Sequence, residues 1–247
     1  PVEWSVPWSG VPFLLRESDV LSPRGFLEDP HSPLLPQARQ HLSGSGVWMN
    51  MIPHVRILVA TDKDILSVEP HEGTVVPAVG LGGLRPSCLA WDPWGGGRAW
   101  AGTTDNGVLR SDDGGLSWRQ AGLQGKEITA LTASSAEADL IWAGTEPSSV
   151  WRSRNLGEIW EETSPLTDLP SSSEWSFPPR PETHHVRWIA CHPTDPECLW
   201  VAVEAGALIS TVDGGESWRD RSEDGPRDTH ELVIHPHRPD TLKVSAG

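Results

Sequence analysis

The chain has 247 residues, 37% of them apolar, with 34 acidic against 19 basic side chains and a formal net charge of −15. A surface of that sign repels phosphate backbones and anionic bilayers, which sets aside nucleic acid and membrane as partners. No apolar run approaches the about 20 residues of a membrane-spanning helix and no charged-then-apolar leader is visible, so a cytoplasmic location is expected.

The 24 Gly and 23 Pro cut the apolar residues into short bursts, as in an all-β chain of short strands and turns. Cys88, Cys191 and Cys198 are odd in number and form no C-x-x-C pair. They read as free thiols of a reducing compartment rather than as a disulfide framework.

In chain order, residues 1–50 carry no repeat feature and are rich in Pro, Ser and Gly. They are expected to be a disordered extension, or sequence upstream of a start at Met49 or Met51. The first strand-like segment is Val55–Ala60. From there a register repeats. Ser111-Asp112-Asp113-Gly114-Gly115-Leu116-Ser117-Trp118, the run from Ser153 through Asn155 and Gly157 to Trp160, and the run from Thr211 through Asp213 and Gly215 to Trp218 align without gaps. Trp100, Trp142 and Trp200 stand at one constant offset before the motif tryptophans Trp118, Trp160 and Trp218. In most copies an apolar burst ending in Asp-Pro or His-Pro comes shortly before that earlier Trp. Leu58 precedes Trp100 by the same step that separates Trp118 from Trp160, which assigns it to an earlier unit.

A period of roughly 40–45 residues suits propeller blades, and some helical repeats share it. Gly, Asp-Gly and Pro breakers are too frequent for paired helices, and four short strands per unit fit. Strand one is expected at 128–133, 186–191 and 230–235. Strand two falls at 98–103, 140–145 and 199–204, and strand three at 108–112, 149–153 and 207–211. The turn Asp105-Asn106-Gly107 joins strands two and three, and strand four starts at the motif Trp. Leu242–Ala246 is expected as strand two of the unit that starts at 230–235.

The three motifs match the pattern Ser-x-Asp-x-Gly-x-Thr-Trp. On Ser111, Asp113, Gly115, Trp118, Asn155, Gly157, Trp160, Asp213, Gly215 and Trp218 the chain resembles the Asp-box propeller superfamily of sialidases, xyloglucanases, sortilin-type receptors and photosystem II assembly factors. It is most similar to bacterial WD40/YVTN/BNR-like repeat proteins. The resemblance implies a β-propeller over residues 51–247, about four to five blades of a six- to eight-bladed ring. A small five-bladed ring closed by the N-terminal strand is the alternative. The motif residues read as structural: the Asp accepts amides of its own turn, the Gly takes a positive φ, and the Trp buries a large face. The middle copy, with Asn155 and Ile159, should be looser.

The resemblance also places the motif turns away from the functional face. That opposite face carries an anomaly. The interval from Trp160 to Trp218 is longer than that from Trp118 to Trp160, and the excess lies between Trp160 and His184. Trp175 and Phe177 are candidates to stack on a ligand, Arg180 to clamp an acidic group, and His184, His185, Arg187 and His230 to line the site. A floppy Ser/Pro-rich excursion is the alternative, and deleting 165–182 is expected to leave the fold intact. Glu204 and Glu231 are weak catalytic candidates. No metal is expected, because the neighbouring His184 and His185 point to opposite faces of a strand, and no cofactor motif is present. The family's sialidases use a Tyr nucleophile, whereas this chain has no Tyr and Val55-Arg56-Ile57-Leu58 lacks the Pro of the Arg-Ile-Pro motif. The expected role is therefore binding of a glycan, small molecule or protein, ahead of glycoside hydrolysis. An assembly-factor role that relies on basic surface residues fits the acidic balance poorly.

Overall fold

A computed structural model describes residues 56–70, 73–235 and 238–246. The expectation for residues 1–50 lies outside them. The described residues form an incomplete β-propeller of antiparallel sheets. The first sheet contains β1 (Ile57–Ala60), β2 (Ile65–Glu69) and β3 (Thr74–Pro77). The second contains β4 (Pro86–Trp91), β5 (Ala99–Thr103), β6 (Val108–Ser111) and β7 (Arg119–Gln120). The third repeats it with β8 (Glu127–Ala133), β9 (Ile141–Glu146), β10 (Val150–Ser153) and β11 (Glu161–Glu162). The fourth has β12 (Val186–Cys191), β13 (Leu199–Val203) and β14 (Ala207–Thr211), and the last has β15 (Thr229–His235) and β16 (Arg238–Ala246).

Strands β4, β8, β12 and β15 are the innermost of successive blades and pack side by side. β1 packs on β4 as β5 packs on β8, which makes it the second strand of its blade, where the register puts Leu58. The outer strands differ from expectation. They begin one residue past the motif Trp, span two residues in β7 and β11, and shrink in the fourth sheet to the single bridge Ser210–Arg219. The Trp side chain turns inward on the turn itself, Trp118 Nε1 donating to Gly115 O at 3.1 Å, so the backbone reaches its neighbour only afterwards.

Blades adhere through apolar faces presented by second strands. Trp100 and Trp142 are fully buried: Trp100 packs in one cluster with Ile141 and Ala143, and Trp142 in the next with Leu199 and Val201, while Ala99 and Ala101, on the other face of β5, pack with Ile65 and Trp118. Each turn between strands three and four is braced by its own side chains. Ser111 Oγ accepts from Gly115 N at 2.8 Å, while Asp113 Oδ1 accepts from Leu116 N at 3.0 Å and Ser117 N at 2.9 Å. Asp113 Oδ2 accepts the Ser117 hydroxyl at 2.5 Å. Asp213 repeats this with Ser217 N at 2.9 Å and Ser217 Oγ at 2.6 Å. Burial works against ionising Asp113, but the bonds from Ser117, Ser111 and Leu116 outweigh it and hold the carboxyl at about 2. Bonds from Ser217 and Thr211 do the same for Asp213.

The middle turn is weaker. Asn155 Oδ1 accepts from Ser153 Oγ and Ile159 N, both at 2.9 Å, and Ile159 has no hydroxyl to donate. Leu156 stands at φ 63°, where the flanking turns have Gly114 and Gly214. A side chain in that region is strained by roughly 1–2 kcal/mol.

The two ends of each blade are distinct. The motif turns join the loops between strands one and two, as in Gly114 N to Gly97 O at 2.7 Å and Gly214 N to Glu197 O at 2.9 Å. At the other end, the hairpins between strands two and three meet the connections from blade to blade, as in Gly107 N to Lys126 O at 3.2 Å and Ser148 N to His184 O at 3.0 Å. Gly107 has φ 70°, and a Cβ there would lie 2.2 Å from Leu123 O, so no other residue fits.

Candidate functional site

Every innermost strand is bulged at the same place. The register slips past Ser87 in β4, Thr129 in β8, Arg187 in β12 and His230 in β15. A bulge re-aims the side chain at the extra residue. In the second and third blades that side chain is a hydroxyl used between blades: Ser87 Oγ donates to Ile128 O, and Thr129 Oγ1 donates to Val186 O at 2.6 Å. In the fourth and fifth blades it is Arg187 and His230. Arg187 Nε lies 3.3 Å from Glu204 Oε2, and His230 Nε2 lies 3.3 Å from Asp228 Oδ1. The inner strands line a trough of about 700 Å³ with small and apolar side chains, among them Cys88, Trp91, Trp188 and Cys191. The charged groups sit instead at its rim on the loop face, and Arg187 belongs to both.

The rim is built by the long connection between the third and fourth blades. That connection is folded, with short 3-10 helices at Leu166–Asp168 and Pro170–Glu174. Leu166, Leu169 and Trp175 enter the same core as Trp142, Leu199 and Val203. Trp175 is 5% exposed and donates its indole N–H to Ser171 Oγ at 2.9 Å. Ser171 in turn donates to Asp220 Oδ1 at 2.6 Å. Trp175, read from sequence as a stacking platform, is thus the anchor of the loop and has no face free for a ligand. The loop is an integral layer of the core, so deleting 165–182 would open that core, against the expectation of an intact fold.

Beyond the anchor the chain turns at 177–183, with Phe177 N bonded to Thr183 O at 2.8 Å and Arg180 N to Phe177 O at 2.7 Å. The Arg180 guanidinium lies over the Phe177 ring at 5.5 Å and reaches Glu146 Oε2 at 2.6 Å. Phe177 meets the His185 ring edge-on at 4.8 Å, and Trp175 meets His184 in the same way at 5.4 Å. His185 is 7% exposed and lies between two carboxylates, Nε2 at 2.9 Å from Glu204 Oε2 and Nδ1 at 3.6 Å from Glu146 Oε2. The Glu146 side chain is 6% exposed. Burial, then the neighbouring His185, pushes the His184 imidazole below its ordinary value, which keeps it neutral.

The structure therefore brings together Phe177, Arg180, His185, Arg187 and Glu204 from the sequence-derived candidates, with His230 beside Asp228 at the edge of the group. His184 faces the Trp175 anchor. The Glu231 side chain makes no hydrogen bond or ion pair among the described residues. Sequence reasoning missed Glu146, although the repeat register holds the signal: Glu146 stands after Trp142 as Glu204 stands after Trp200. Glu146 ends β9 and Glu204 directly follows β13, both on the loop face.

Chemically, the cluster offers an aromatic edge, two half-exposed guanidinium groups and two carboxylates that flank one imidazole, which bonds to Glu204. Such a set can accept and donate hydrogen bonds to a polar ligand at a concave rim. Cys88 and Cys191 contribute no nucleophile, because burial pushes both thiols up to about 12. His192 caps its turn, Nδ1 accepting from Asp195 N at 3.0 Å. Among the described residues no helix is long and apolar enough to cross a membrane.

No protein-family model matches the chain, and no curated protein sequence matches it. Solved structures do. An ancestral GH74 enzyme superposes with a TM-score of 0.59 at 14% identity, covering 73% of this chain and 24% of its own length. The GH74 enzyme of Niastella koreensis gives 0.60 at 15% identity, covering 77% and 31%. The GH74 xyloglucanase from Xanthomonas campestris gives 0.54 at 15%, covering 72% and 30%. The chain spans between about a quarter and a third of these β-propeller proteins, and the likeness is one of fold.

Proposed function

We propose that this chain is a propeller of the Asp-box kind whose loop face binds a polar small ligand of the glycan type. Support for the first part comes from the repeated brace of Ser111 or Thr211, Asp113 or Asp213, and Ser117 or Ser217 on the opposite face. The observation that carries the second is that the additional loop is folded onto the core and ends by setting Phe177 and Arg180 beside Glu146, His185 and Glu204. A ring edge, planar donors and carboxylates in one rim suit hydroxyl-rich ligands, which need both apolar contact and bidentate hydrogen bonds. Binding of neutral and acidic oligosaccharides to the purified chain tests this by glycan array and calorimetry. Arg180→Ala and Glu204→Gln are each expected to weaken binding at least tenfold without lowering the melting temperature by more than a few degrees. Absence of any glycan binding, or binding indifferent to both substitutions, refutes the reading.

One observation favours a second reading, glycoside hydrolysis: two carboxylates, Glu146 and Glu204, flank one buried imidazole. Paired carboxylates are the usual machinery of that reaction. Turnover of aryl glycosides that disappears in Glu204→Gln while binding persists would put this reading first.

A further inference from the structure

A separate group of donors lies on the outer side of Glu204. We propose that Glu204, Asp228 and His230 form a binding site for a borderline divalent transition-metal ion, zinc or manganese in class. One ligand atom from each lies within 4.8 Å of the others, and all three residues are half-buried. They come from three segments: the end of β13, the connection before β15, and β15 itself.

The donors are pre-set from behind. Glu204 uses Oε2 for both His185 and Arg187, so Oε1 is left open. His185, more than nine-tenths buried, fixes that carboxylate through Nε2. Asp228 uses Oδ1 for the Ala205 amide at 3.1 Å and for His230, leaving Oδ2 open. Ala205 holds φ 50°, a left-handed conformation unusual for a residue with a Cβ, and in it the amide is aimed at Asp228. Second partners of this kind orient metal-binding carboxylates.

His230 owes its place to the bulge in β15. Its equivalents Ser87 and Thr129 spend their side chains on the next inner strand, and His230 departs from that use. A tetrahedral ion with bonds of about 2.0–2.2 Å separates its ligands by roughly 3.3 Å. With Oε2 of Glu204 and Oδ1 of Asp228 held in place, a swing of the open Oε1 and Oδ2 brings donors that already lie within 4.8 Å of one another to that distance. One imidazole with two carboxylates selects zinc or manganese over calcium and magnesium, which take all-oxygen cages. Three protein ligands leave a coordination position for water or for an oxygen of a bound ligand.

Two local features oppose or compete with the ion. The Arg187 guanidinium repels it, and the His230 ring, with Nε2 3.3 Å from Asp228 Oδ1, must turn from that contact to take the ion. Arg187 is 48% exposed on its side chain and free to swing outward.

The test is equilibrium dialysis of the chelator-treated chain against Zn²⁺, Mn²⁺ and Ca²⁺ alone, read by elemental analysis, with thermal melting in parallel. One equivalent of Zn²⁺ or Mn²⁺ is expected to bind at micromolar concentration and raise the melting temperature by several degrees. His230→Ala and Asp228→Asn should each lower affinity at least tenfold, and Arg187→Ala should raise it. His192→Ala, remote from the site, should change nothing, which separates a built site from loose histidine binding. Should Asp228→Asn unfold the chain, the His230→Ala and Arg187→Ala pair decides. No stoichiometric Zn²⁺ or Mn²⁺, a preference for Ca²⁺, or affinity insensitive to His230→Ala and Arg187→Ala overturns the site. Because the metal is tested alone, failure of glycan binding leaves this result standing, and the reverse holds too.

Discussion

The middle turn can be repaired from the pattern of its two neighbours. Asn155→Asp combined with Ile159→Ser restores a carboxylate and a hydroxyl at the positions of Asp113 and Ser117. Ile159 is 66% exposed, so its removal forfeits little burial. The gain is one new hydroxyl-to-carboxylate bond and the conversion of an amide bond from neutral to charge-assisted, in the manner of Ser117 Oγ to Asp113 Oδ2 at 2.5 Å. Bonds to a charged acceptor contribute about 1.5–3 kcal/mol in protected settings; exposure discounts this to about 1 kcal/mol. For a domain of roughly 200 residues that raises the melting temperature by roughly 2–4 °C. The charge gives a second signature. A carboxyl whose folded value is depressed stabilises above its unfolded value near 4 and loses that contribution as pH falls through its folded value, here about 2 by analogy with Asp113 and Asp213. Urea unfolding at pH 7, 4 and 3 should show the advantage full at pH 7 and shrinking below pH 4. A gain that is independent of pH, or equal in Ile159→Ser alone, refutes the reasoning.

Trp175→Ala should release the long connection: a loss of about 3–5 kcal/mol is typical for a buried Trp, and limited proteolysis should cut within 165–182 in the variant before the intact chain. The thiols of Cys88 and Cys191, pushed to about 12, should resist iodoacetamide at pH 8, where only about one in ten thousand is ionised, and react fully in urea. Gly107→Ala should destabilise by more than the about 1–2 kcal/mol that a left-handed φ alone imposes on a residue with a Cβ, because its Cβ meets the Leu123 carbonyl; a melting curve matching the parent would show that the hairpin shifts freely.

Most of the blade plan was legible in spacing. The three motif turns, the tryptophans of the second strands and the Asn-Gly hairpin are local signals, and the fold uses them where the register put them. The long connection was harder to read, since Ser and Pro suit an excursion as well as a packed layer, and nothing local marks Leu166 and Trp175 as reaching a core shared by Trp142 before them and Leu199 after them. The bulges were invisible because they depend on pairing between strands. Glu146 was readable from the register and was missed because an acidic residue at a strand end is ordinary in a chain this acidic. Asp228 gains meaning only through the Ala205 amide, a contact across 23 positions.

The brevity of β7 and β11 leaves the outer edges of these two blades with little backbone to offer a second copy. A foreign strand docking on the rim would find two residues of free backbone, carrying Arg119 and Gln120 in one case and Glu161 and Glu162 in the other. Fibril growth needs a long, uncharged ladder to copy. The periphery offers none at these two blades, so polymerisation through them is blocked even at the concentrations where stacked sheets ordinarily recruit one another.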